Sequence, residues 1–205
     1  MAGDTALLPE AFERIYRYGG WGGLGSGPGS LAANTIEYRA FLARFIEANA
    51  VRSVTDLGCG DWQFSHLSEW SGVDYLGVDV VPAIVESNRA RFHQANIRFA
   101  LFSGIEALPG GDLLLAKEVL QHLPNAVVAE YLAAIRRKYR FALLTNAIEP
   151  PDQVNREIAA GDFRPLRVQL APFDAPGAVV FTYYPQSGSH FFKNAVFLMF
   201  GDKTS

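Results

Sequence analysis

Short apolar runs alternate with stretches of helical periodicity from about residue 31 to residue 148. A short apolar run favours a buried strand, and apolar residues spaced three and four apart favour an amphipathic helix. The predicted strands cover residues 51–57, 75–79, 97–102, 113–117 and 141–145, and the predicted helices cover residues 31–49, 64–70, 82–93 and 126–139. Strands that alternate with helices predict a mostly parallel sheet covered on both faces.

The pattern changes after Pro150. Residues 178–184 and 194–200 predict two further strands joined by a Gly- and Ser-containing turn, which indicates an antiparallel hairpin. Before the alternating region, Ser30 is placed to cap the first predicted helix. We therefore expect one domain with three parts, which are an N-terminal segment (1–30), a core (31–148) and a C-terminal part that ends in the hairpin (149–205).

The first predicted strand runs directly into two glycines one residue apart, Gly58 and Gly60. Nineteen residues after Gly60, the next strand ends on Asp79. Glycine lets a backbone turn sharply and approach a ligand, and an acidic residue at a strand end can accept hydrogen bonds from two ribose hydroxyls. The pair predicts a site for a nucleoside cofactor.

The same loop is poorly suited to a pyrophosphate. A dinucleotide fingerprint would need a third glycine at the position of Gln63. Asp56 and Asp61 also flank the loop with negative charge. A nucleoside without phosphate, and preferably with a positive charge, fits better.

Asp56, Gly58 and Gly60 resemble motif I of the class I S-adenosylmethionine-dependent methyltransferases, in which an acidic residue precedes Gly-x-Gly-x-Gly. Trp62 replaces the third glycine. Residues 112–124 resemble the fourth strand of that family and the loop after it, so the likeness extends over roughly residues 51–145. It implies a Rossmann-like fold with a mostly parallel seven-stranded sheet and an antiparallel C-terminal hairpin, and the transfer of a methyl group from S-adenosylmethionine.

The resemblance also implies a set of cofactor contacts. Gly58, Cys59 and Gly60 would form a close backbone wall, and Asp79 would hold the ribose, although it could also cap the next helix. Ser103 and Gly104 stand where the family usually has an acidic residue that holds the adenine amino group. Lys117 and Glu118 are expected beside the methionine half of the cofactor, and Arg39 could reach the methionine carboxylate. The remaining expected contacts are Asp56, Asp61, Val80 and Trp21. For Lys117, Glu118 and Arg39, a solvated surface position is the alternative.

His122 is the candidate catalytic residue, because it follows the fourth strand, where an open α/β sheet receives its ligands. Its imidazole could remove a proton from the methyl acceptor or simply orient a ligand. His66, His93 and His190 are expected to have structural roles.

The glycine-rich segment that precedes the core holds seven glycines in residues 19–30. Tyr16, Tyr18 and Trp21 lie in or beside it, so a lid that closes over cofactor and substrate is favoured over a flexible connector. A sulfonium methyl group would benefit from nearby aromatic faces.

Composition suits a single globular domain, with 205 residues of which 49% are hydrophobic. The net charge of −3 provides no basic field for nucleic acid, and Arg136, Arg137 and Lys138 are predicted to end a helix. Cys59 is the single cysteine, which excludes intramolecular disulfides and cysteine-rich zinc sites, and no metal is expected. No apolar run is long enough for a membrane span and the first residues do not resemble a signal peptide, so a cytoplasmic location is expected.

A compact chain favours a small-molecule acceptor over a peptide or protein. Its pocket is expected to involve the N-terminal segment and polar residues that follow the fifth strand, namely Asn146, Glu149, Arg156, Arg164 and Arg167. Two other classes stay open. One is an oxidoreductase that uses NAD(P), and the other is a non-catalytic binding module on the same fold.

Overall fold

The protein forms one seven-stranded sheet in the order β3-β2-β1-β4-β5-β7-β6. The computed structural model describes residues 8–23, 25–185 and 192–202. The strands are β1 Ser53–Leu57, β2 Asp74–Asp79, β3 Ile97–Leu101, β4 Gly111–Lys117, β5 Tyr139–Ala147, β6 Ala178–Tyr183 and β7 Asn194–Phe200. The first five strands pair in parallel, and β7 pairs antiparallel with both β5 and β6. The predicted mostly parallel sheet with an antiparallel C-terminal hairpin is confirmed.

Helices cover both faces of this sheet. They are α1 Leu8–Tyr18, α2 Ile36–Ala48, α3 Pro82–Phe92 and α4 Asn125–Lys138. Side chains alternate along β4, so that Leu113 and Leu115 belong to one core cluster, with Leu42 of α2, while Leu114 belongs to the other, with Ile135 of α4. Burial on both faces explains why the central strands are continuous apolar runs. In the ranges that the structure describes, no helix has the length and apolar character needed to cross a membrane.

The last turn of α4 contains Arg136, Arg137 and Lys138, as the sequence predicts. Arg137 pairs with Glu106, and Lys138 donates to the backbone oxygens of Glu106 and Leu108. Positive charge at this end complements the helix dipole.

The predicted helix over residues 64–70 is wrong. This segment contains a single 3-10 turn at Ser65–Leu67, and Trp62, Phe64 and Trp70 are all buried. At 100° per residue Phe64 would point about 160° away from Trp62 and about 120° away from Trp70 on a helix, so one helical face could not bury all three rings. An irregular backbone buries all three instead, and the Trp70 indole donates to the backbone oxygen of Ser65 at 2.8 Å.

The predicted start of the first core helix is also wrong. Residues Ala32–Thr35 form a 3-10 helix and α2 begins only at Ile36, while Ser30 ends another 3-10 turn and caps nothing. The Thr35 hydroxyl bonds back to the carbonyls of Leu31 and Ala32, which holds the tighter turn. Helix α1 was not predicted, although Leu8, Phe12, Ile15 and Tyr16 recur at the spacing of one helical face.

Candidate functional site

A cavity of about 260 Å³ lies at the carboxyl ends of β1, β2 and β4. The strand order reverses there, between β1 and β4, and ligands of open α/β sheets bind at such a switch point. Its walls come from the loop after β1, the ends of β2 and β4, and the N-terminal region. The predicted site residues that line it are Trp21, Asp56, Gly58, Cys59, Gly60, Asp79, Val80, Lys117, Glu118 and His122.

The loop after β1 turns sharply at its two glycines. Gly58 has φ +69° and Gly60 has φ +56°, in the left-handed region that favours glycine. The N–H groups of Gly58 and Cys59 both donate to the carbonyl of Val78, at 2.8 and 3.1 Å. A Cβ on Gly58 would lie 2.6 Å from the Val119 side chain, and one on Gly60 would collide with the Ser26 hydroxyl. The backbone therefore forms a close wall of the cavity.

Asp79 is fixed at the end of β2 by two backbone donors. Its Oδ2 accepts from the Gly60 N–H and its Oδ1 from the Val81 N–H, both at 3.0 Å. Val81 is itself the N-cap of α3, so Asp79 does not bond the first-turn N–H groups that a capping side chain would. The carboxylate is 6% exposed, and burial raises its pKa against the effect of these bonds. Each oxygen retains a lone pair that can accept another hydrogen bond.

Asp56 lies beneath the glycine turn at the end of a buried hydrogen-bond chain. The Trp62 indole donates to the Tyr75 hydroxyl at 2.8 Å, and this hydroxyl donates to Asp56 Oδ2. Burial raises the pKa of Asp56 to about 7, although the Tyr75 bond and the charge of Lys117 oppose the rise. Trp62, which replaces the third glycine of the motif, therefore supports the acidic residue that begins it.

The free energy of unfolding should depend on pH through Asp56. A pKa of about 7 in the folded protein, against 3.8 ordinarily, means that the folded state binds more protons between these values. The contribution of Asp56 to stability should therefore fall as pH rises toward 7 and stay constant above it. The free energy of unfolding, measured with urea, should fall between about pH 5 and about pH 7.5, and it should fall less for Asp56→Asn than for the parent. Exposed Asp74→Asn is the control, and an equal loss in Asp56→Asn and the parent would contradict the assignment.

Lys117 and Glu118 form a buried ion pair at the end of β4, with side chains that are 5% and 19% exposed. The Lys117 ammonium also donates to the Gly29 carbonyl at 2.9 Å, and Asn194 donates to Glu118 Oε1 at 3.1 Å. Burial acts to raise the pKa of Glu118, but the positive charge of Lys117 and these bonds outweigh it and lower the pKa. The alternative of a solvated surface pair is wrong.

His122 is held in one tautomer by two neighbours. Its Nδ1 lies 2.8 Å from the Asp162 carbonyl, which can only accept, so Nδ1 carries the proton. Its Nε2 lies 3.5 Å from the Gln121 amide nitrogen, whose orientation is set by a 2.7 Å bond from the Ala147 N–H to Gln121 Oε1. Burial lowers the pKa of His122. The imidazole at neutral pH is therefore uncharged, and the lone pair of Nε2 accepts a long hydrogen bond from the Gln121 amide.

The N-terminal region packs against the glycine loop. The Ser26 hydroxyl donates to Asp61 Oδ1 at 2.6 Å and accepts from the Asp61 N–H at 2.9 Å, so the Tyr16 hydroxyl must donate to it. The Trp21 ring lies 5.3 Å from the Tyr16 ring and 5.7 Å from that of His122. Asp61 is thus used in holding this segment and does not line the cavity.

Three predicted cofactor contacts also lie outside the cavity. Arg39 points its guanidinium at the carbonyls of Leu67 and Ala32, at 3.4 and 3.5 Å, so its predicted role at a methionine carboxylate is not supported. Ser103 and Gly104 follow β3 without lining the cavity, whereas their neighbour Phe102 does line it.

None of the five polar residues expected in the acceptor pocket lines the cavity. Arg164 is fully buried, and its guanidinium donates to the carbonyls of Leu120 and Leu123 at 2.9 Å. The other side chains likewise lie elsewhere: Arg156 and Arg167 bond backbone carbonyls, Glu149 faces Tyr184 and Lys193, and Asn146 is buried in β5. The predicted polar pocket is not formed at this cavity, because the four charged side chains bond other parts of the chain and Asn146 lies within β5.

His66 and His93 also lie away from the cavity. His66 Nδ1 bonds the Trp62 carbonyl at 2.9 Å, and His93 follows the last residue of α3. His190 lies outside the described residues. In the part of the chain that is described, no cluster of three or more His, Cys, Asp or Glu residues could hold a metal ion.

Sequence reasoning missed most of the apolar lining. The missed lining residues, apolar and polar, include Leu8, Phe12, Asn34, Phe64, Phe102, Val119, Gln121, Leu123, Tyr131, Ala147, Phe163, Pro185, Phe192 and Asn194. Gln121 could have been found from its position beside His122. Phe163 lies in an irregular segment, and no local sequence pattern marks either Phe163 or Phe192.

No family model matches the sequence, and no curated protein matches it. Among solved structures, the 1,6-didemethyltoxoflavin-N1-methyltransferase of Burkholderia thailandensis is 17% identical, covers 97% of this chain and 89% of its own, and has a TM-score of 0.70. The magnesium protoporphyrin IX methyltransferase of Synechocystis PCC 6803 is 14% identical, covers 80% of this chain and 82% of its own, and has a TM-score of 0.56. Both were solved with S-adenosylhomocysteine bound. The chain has the fold of these methyltransferases.

Proposed function

We propose that the protein transfers a methyl group from S-adenosylmethionine to a small-molecule acceptor. The observation that carries this proposal is the Asp79 carboxylate, which lines the cavity while it anchors the N–H of Gly60. One residue thereby connects the acidic end of β2 with the glycine turn after β1, as a nucleoside site requires.

The charges of the cavity suit this cofactor. Among the described lining residues, Asp79 and Glu118 are carboxylates, Asp56 is a third with a pKa of about 7, and Lys117 is the one cation, so that a sulfonium without phosphate fits better than a polyphosphate. In the proposal, Asp79 binds the ribose hydroxyls, the backbone of residues 58–60 contacts the nucleoside, and Lys117 and Glu118 bind the methionine half.

The irregular segment after the glycine loop argues against an NAD(P)-dependent oxidoreductase. A dinucleotide site places its pyrophosphate at the N-terminus of the helix that follows the first glycine turn. Here that segment holds only a three-residue 3-10 turn, Gln63 stands in the place of the third glycine, and the buried Trp62 directly precedes it. The loop therefore lacks both the helix dipole and the open backbone that bind pyrophosphate.

A small acceptor is supported by the cover over the cavity. Leu8 and Phe12 of α1 and Trp21 of the following turn all line it, so a bulky peptide or protein substrate would have to displace them. The Burkholderia enzyme, which resembles nearly the whole chain, was solved with the small molecule 1,6-didemethyltoxoflavin. A cytoplasmic location remains part of the proposal.

We assign His122 as the general base. The acceptor would lose its proton to Nε2 while its oxygen or nitrogen forms the new bond to the methyl carbon. The carbon–sulfur bond breaks with its electron pair retained on sulfur, which leaves neutral S-adenosylhomocysteine. Alignment of acceptor, carbon and sulfur supplies much of the rate, and the base removes the remaining proton.

Two measurements test the proposal. Calorimetry should detect binding of S-adenosylhomocysteine and none of NADH. Incubation of the protein with methyl-labelled S-adenosylmethionine and a cell extract should yield a labelled small molecule by mass spectrometry. Absence of S-adenosylhomocysteine binding would refute the cofactor, and binding without any labelled product would favour a non-catalytic binding module.

We also propose that the N-terminal segment acts as a lid. Ligand can favour the closed state only by contacting it preferentially, and Trp21 is positioned for that contact. Hydrogen exchange of residues 16–23 and 25–30 should slow on addition of S-adenosylhomocysteine, and Trp21→Ala should reduce both this protection and turnover. Tyr18→Ala is the matched control, because Tyr18 is 76% exposed. Equal exchange with and without ligand would identify the segment as a connector.

A further inference from the structure

Five aromatic side chains follow one another around one side of the cavity. Neighbouring ring centroids are 6.2 Å apart for Phe12 and Trp21, and 5.7 Å for Trp21 and His122. They are 5.9 Å apart for His122 and Phe163, and 5.2 Å for Phe163 and Phe192. All five residues line the cavity. We name this series the ring wall.

The ring wall differs in chemistry from the remainder of the cavity. The carboxylates of Asp56, Asp79 and Glu118 lie at the ends of the strands, whereas four members of the ring wall are hydrocarbon or indole rings. Members of the wall come from α1, the turn after it and loops beyond β4 and β5, so distant parts of the chain converge on one aromatic surface. Such a surface attracts flat π systems by offset stacking and edge contacts.

His122 places a proton-accepting atom within this wall. Its Nδ1–H is used by the Asp162 carbonyl, so Nε2 is the nitrogen that can accept a proton. A neutral imidazole is a weak base, and it is matched to phenolic or heteroaromatic O–H and N–H groups far better than to aliphatic hydroxyls.

We propose that the methyl acceptor is a planar aromatic or heteroaromatic molecule that carries an ionisable O–H or N–H group. This inference rests on the proposed methyl transfer and specifies its substrate class. The planar ring packs against Trp21 and Phe163, and its acidic proton faces His122. The new bond joins the methyl carbon to the oxygen or nitrogen that loses this proton.

The test compares 2-naphthol with its saturated counterpart decahydro-2-naphthol, which has a similar size and a hydroxyl group but no π system. In the presence of S-adenosylhomocysteine, saturation-transfer NMR titrations should show 2-naphthol binding roughly tenfold more tightly. With methyl-labelled S-adenosylmethionine, 2-naphthol alone should become labelled.

Variants of the wall separate stacking from general apolar contact. Phe163→Leu retains an apolar side chain without a ring, so it should raise KM for 2-naphthol several-fold while the affinity for S-adenosylhomocysteine stays at the parental value. Phe181→Leu is the control, because Phe181 does not line the cavity and stacks on Phe41 in the core cluster that contains Leu42 of α2.

Three results would overturn the inference while leaving methyl transfer intact in a protein that binds S-adenosylhomocysteine. These are equal binding of the two naphthol compounds, labelling of the saturated compound at a comparable rate, and binding of neither. A protein that fails to bind S-adenosylhomocysteine would instead refute the proposed function on which the inference rests.

Discussion

Asp79→Ala is expected to weaken the binding of S-adenosylhomocysteine by about a hundredfold or more. Asp79 lines the cavity with a carboxylate that can accept hydrogen bonds from two ribose hydroxyls. A hydrogen bond to a charged group contributes about 1.5–3 kcal/mol, so each lost bond costs roughly tenfold or more in affinity. Isothermal titration calorimetry of the parent and the variant measures the loss directly.

The same variant also loses the bonds that Asp79 accepts from Gly60 and Val81, so stability must be measured beside affinity. Asp79→Asn keeps one acceptor oxygen and removes the charge, and it should fall between the parent and Asp79→Ala. Glu106→Ala, which removes a surface carboxylate, is a control for charge alone. Parental affinity in an Asp79→Ala protein that remains folded would eliminate the ribose assignment.

His122→Gln should lower turnover by about 10²- to 10⁴-fold while the affinity for S-adenosylhomocysteine remains parental. Glutamine can still make a hydrogen bond, but it cannot take a proton. In the parent, activity should rise with pH as the imidazole loses its proton, and the midpoint of this rise should lie below the ordinary histidine value of 6.5 because burial lowers the pKa of His122. This acidic limb should disappear in the variant.

Acceptor acidity distinguishes a base from an orienting residue. With 4-nitrophenol, an acceptor that is largely ionised at the assay pH, His122→Gln should retain most of the parental turnover. With 2-naphthol, the variant should lose most of it. His93→Gln is the matched control, because His93 is exposed at the end of α3. An equal loss for both acceptors would identify His122 as a positioning residue, and no loss for either would remove it from the mechanism.

The sequence predicts the residues that line the cavity at the ends of β1 and β2, for a local reason. The turn at Gly58 and Gly60 and the acidic residue at the end of β2 are each specified by a few adjacent residues in a regular element. Parallel strands bring their carboxyl ends to one edge of the sheet, so the alternation of elements is enough to place Asp79 beside the glycine turn.

The acceptor end could not be predicted, because it depends on packing between distant segments. Arg164 and Arg167 follow the fifth strand, as binding residues would, yet both use their guanidinium groups on backbone carbonyls. Charged residues on irregular loops satisfy buried carbonyls as readily as they bind ligands, and the linear sequence does not separate these roles. The position of Phe163 in the ring wall likewise depends on how the loop folds back onto His122.

Glycines in the N-terminal segment suggested mobility, but some of them permit close contact instead. A Cβ on Gly25 would collide with the Asp61 carboxylate, and one on Gly29 with the Glu118 carboxylate. The sequence therefore does not reveal that the carboxylates of Asp61 and Glu118 pack directly against the backbone of these two glycines.

The N-terminal segment also contacts both ends of the cavity, the end beside the glycine loop and the end beside His122. It is bonded to Asp61 through Ser26 at the glycine loop, to Lys117 through the Gly29 carbonyl, and it lies against His122 through Trp21. Under the proposed lid motion, release of this one stretch of backbone would uncover both ends of the cavity together. Spent cofactor and methylated product would then leave through the same opening.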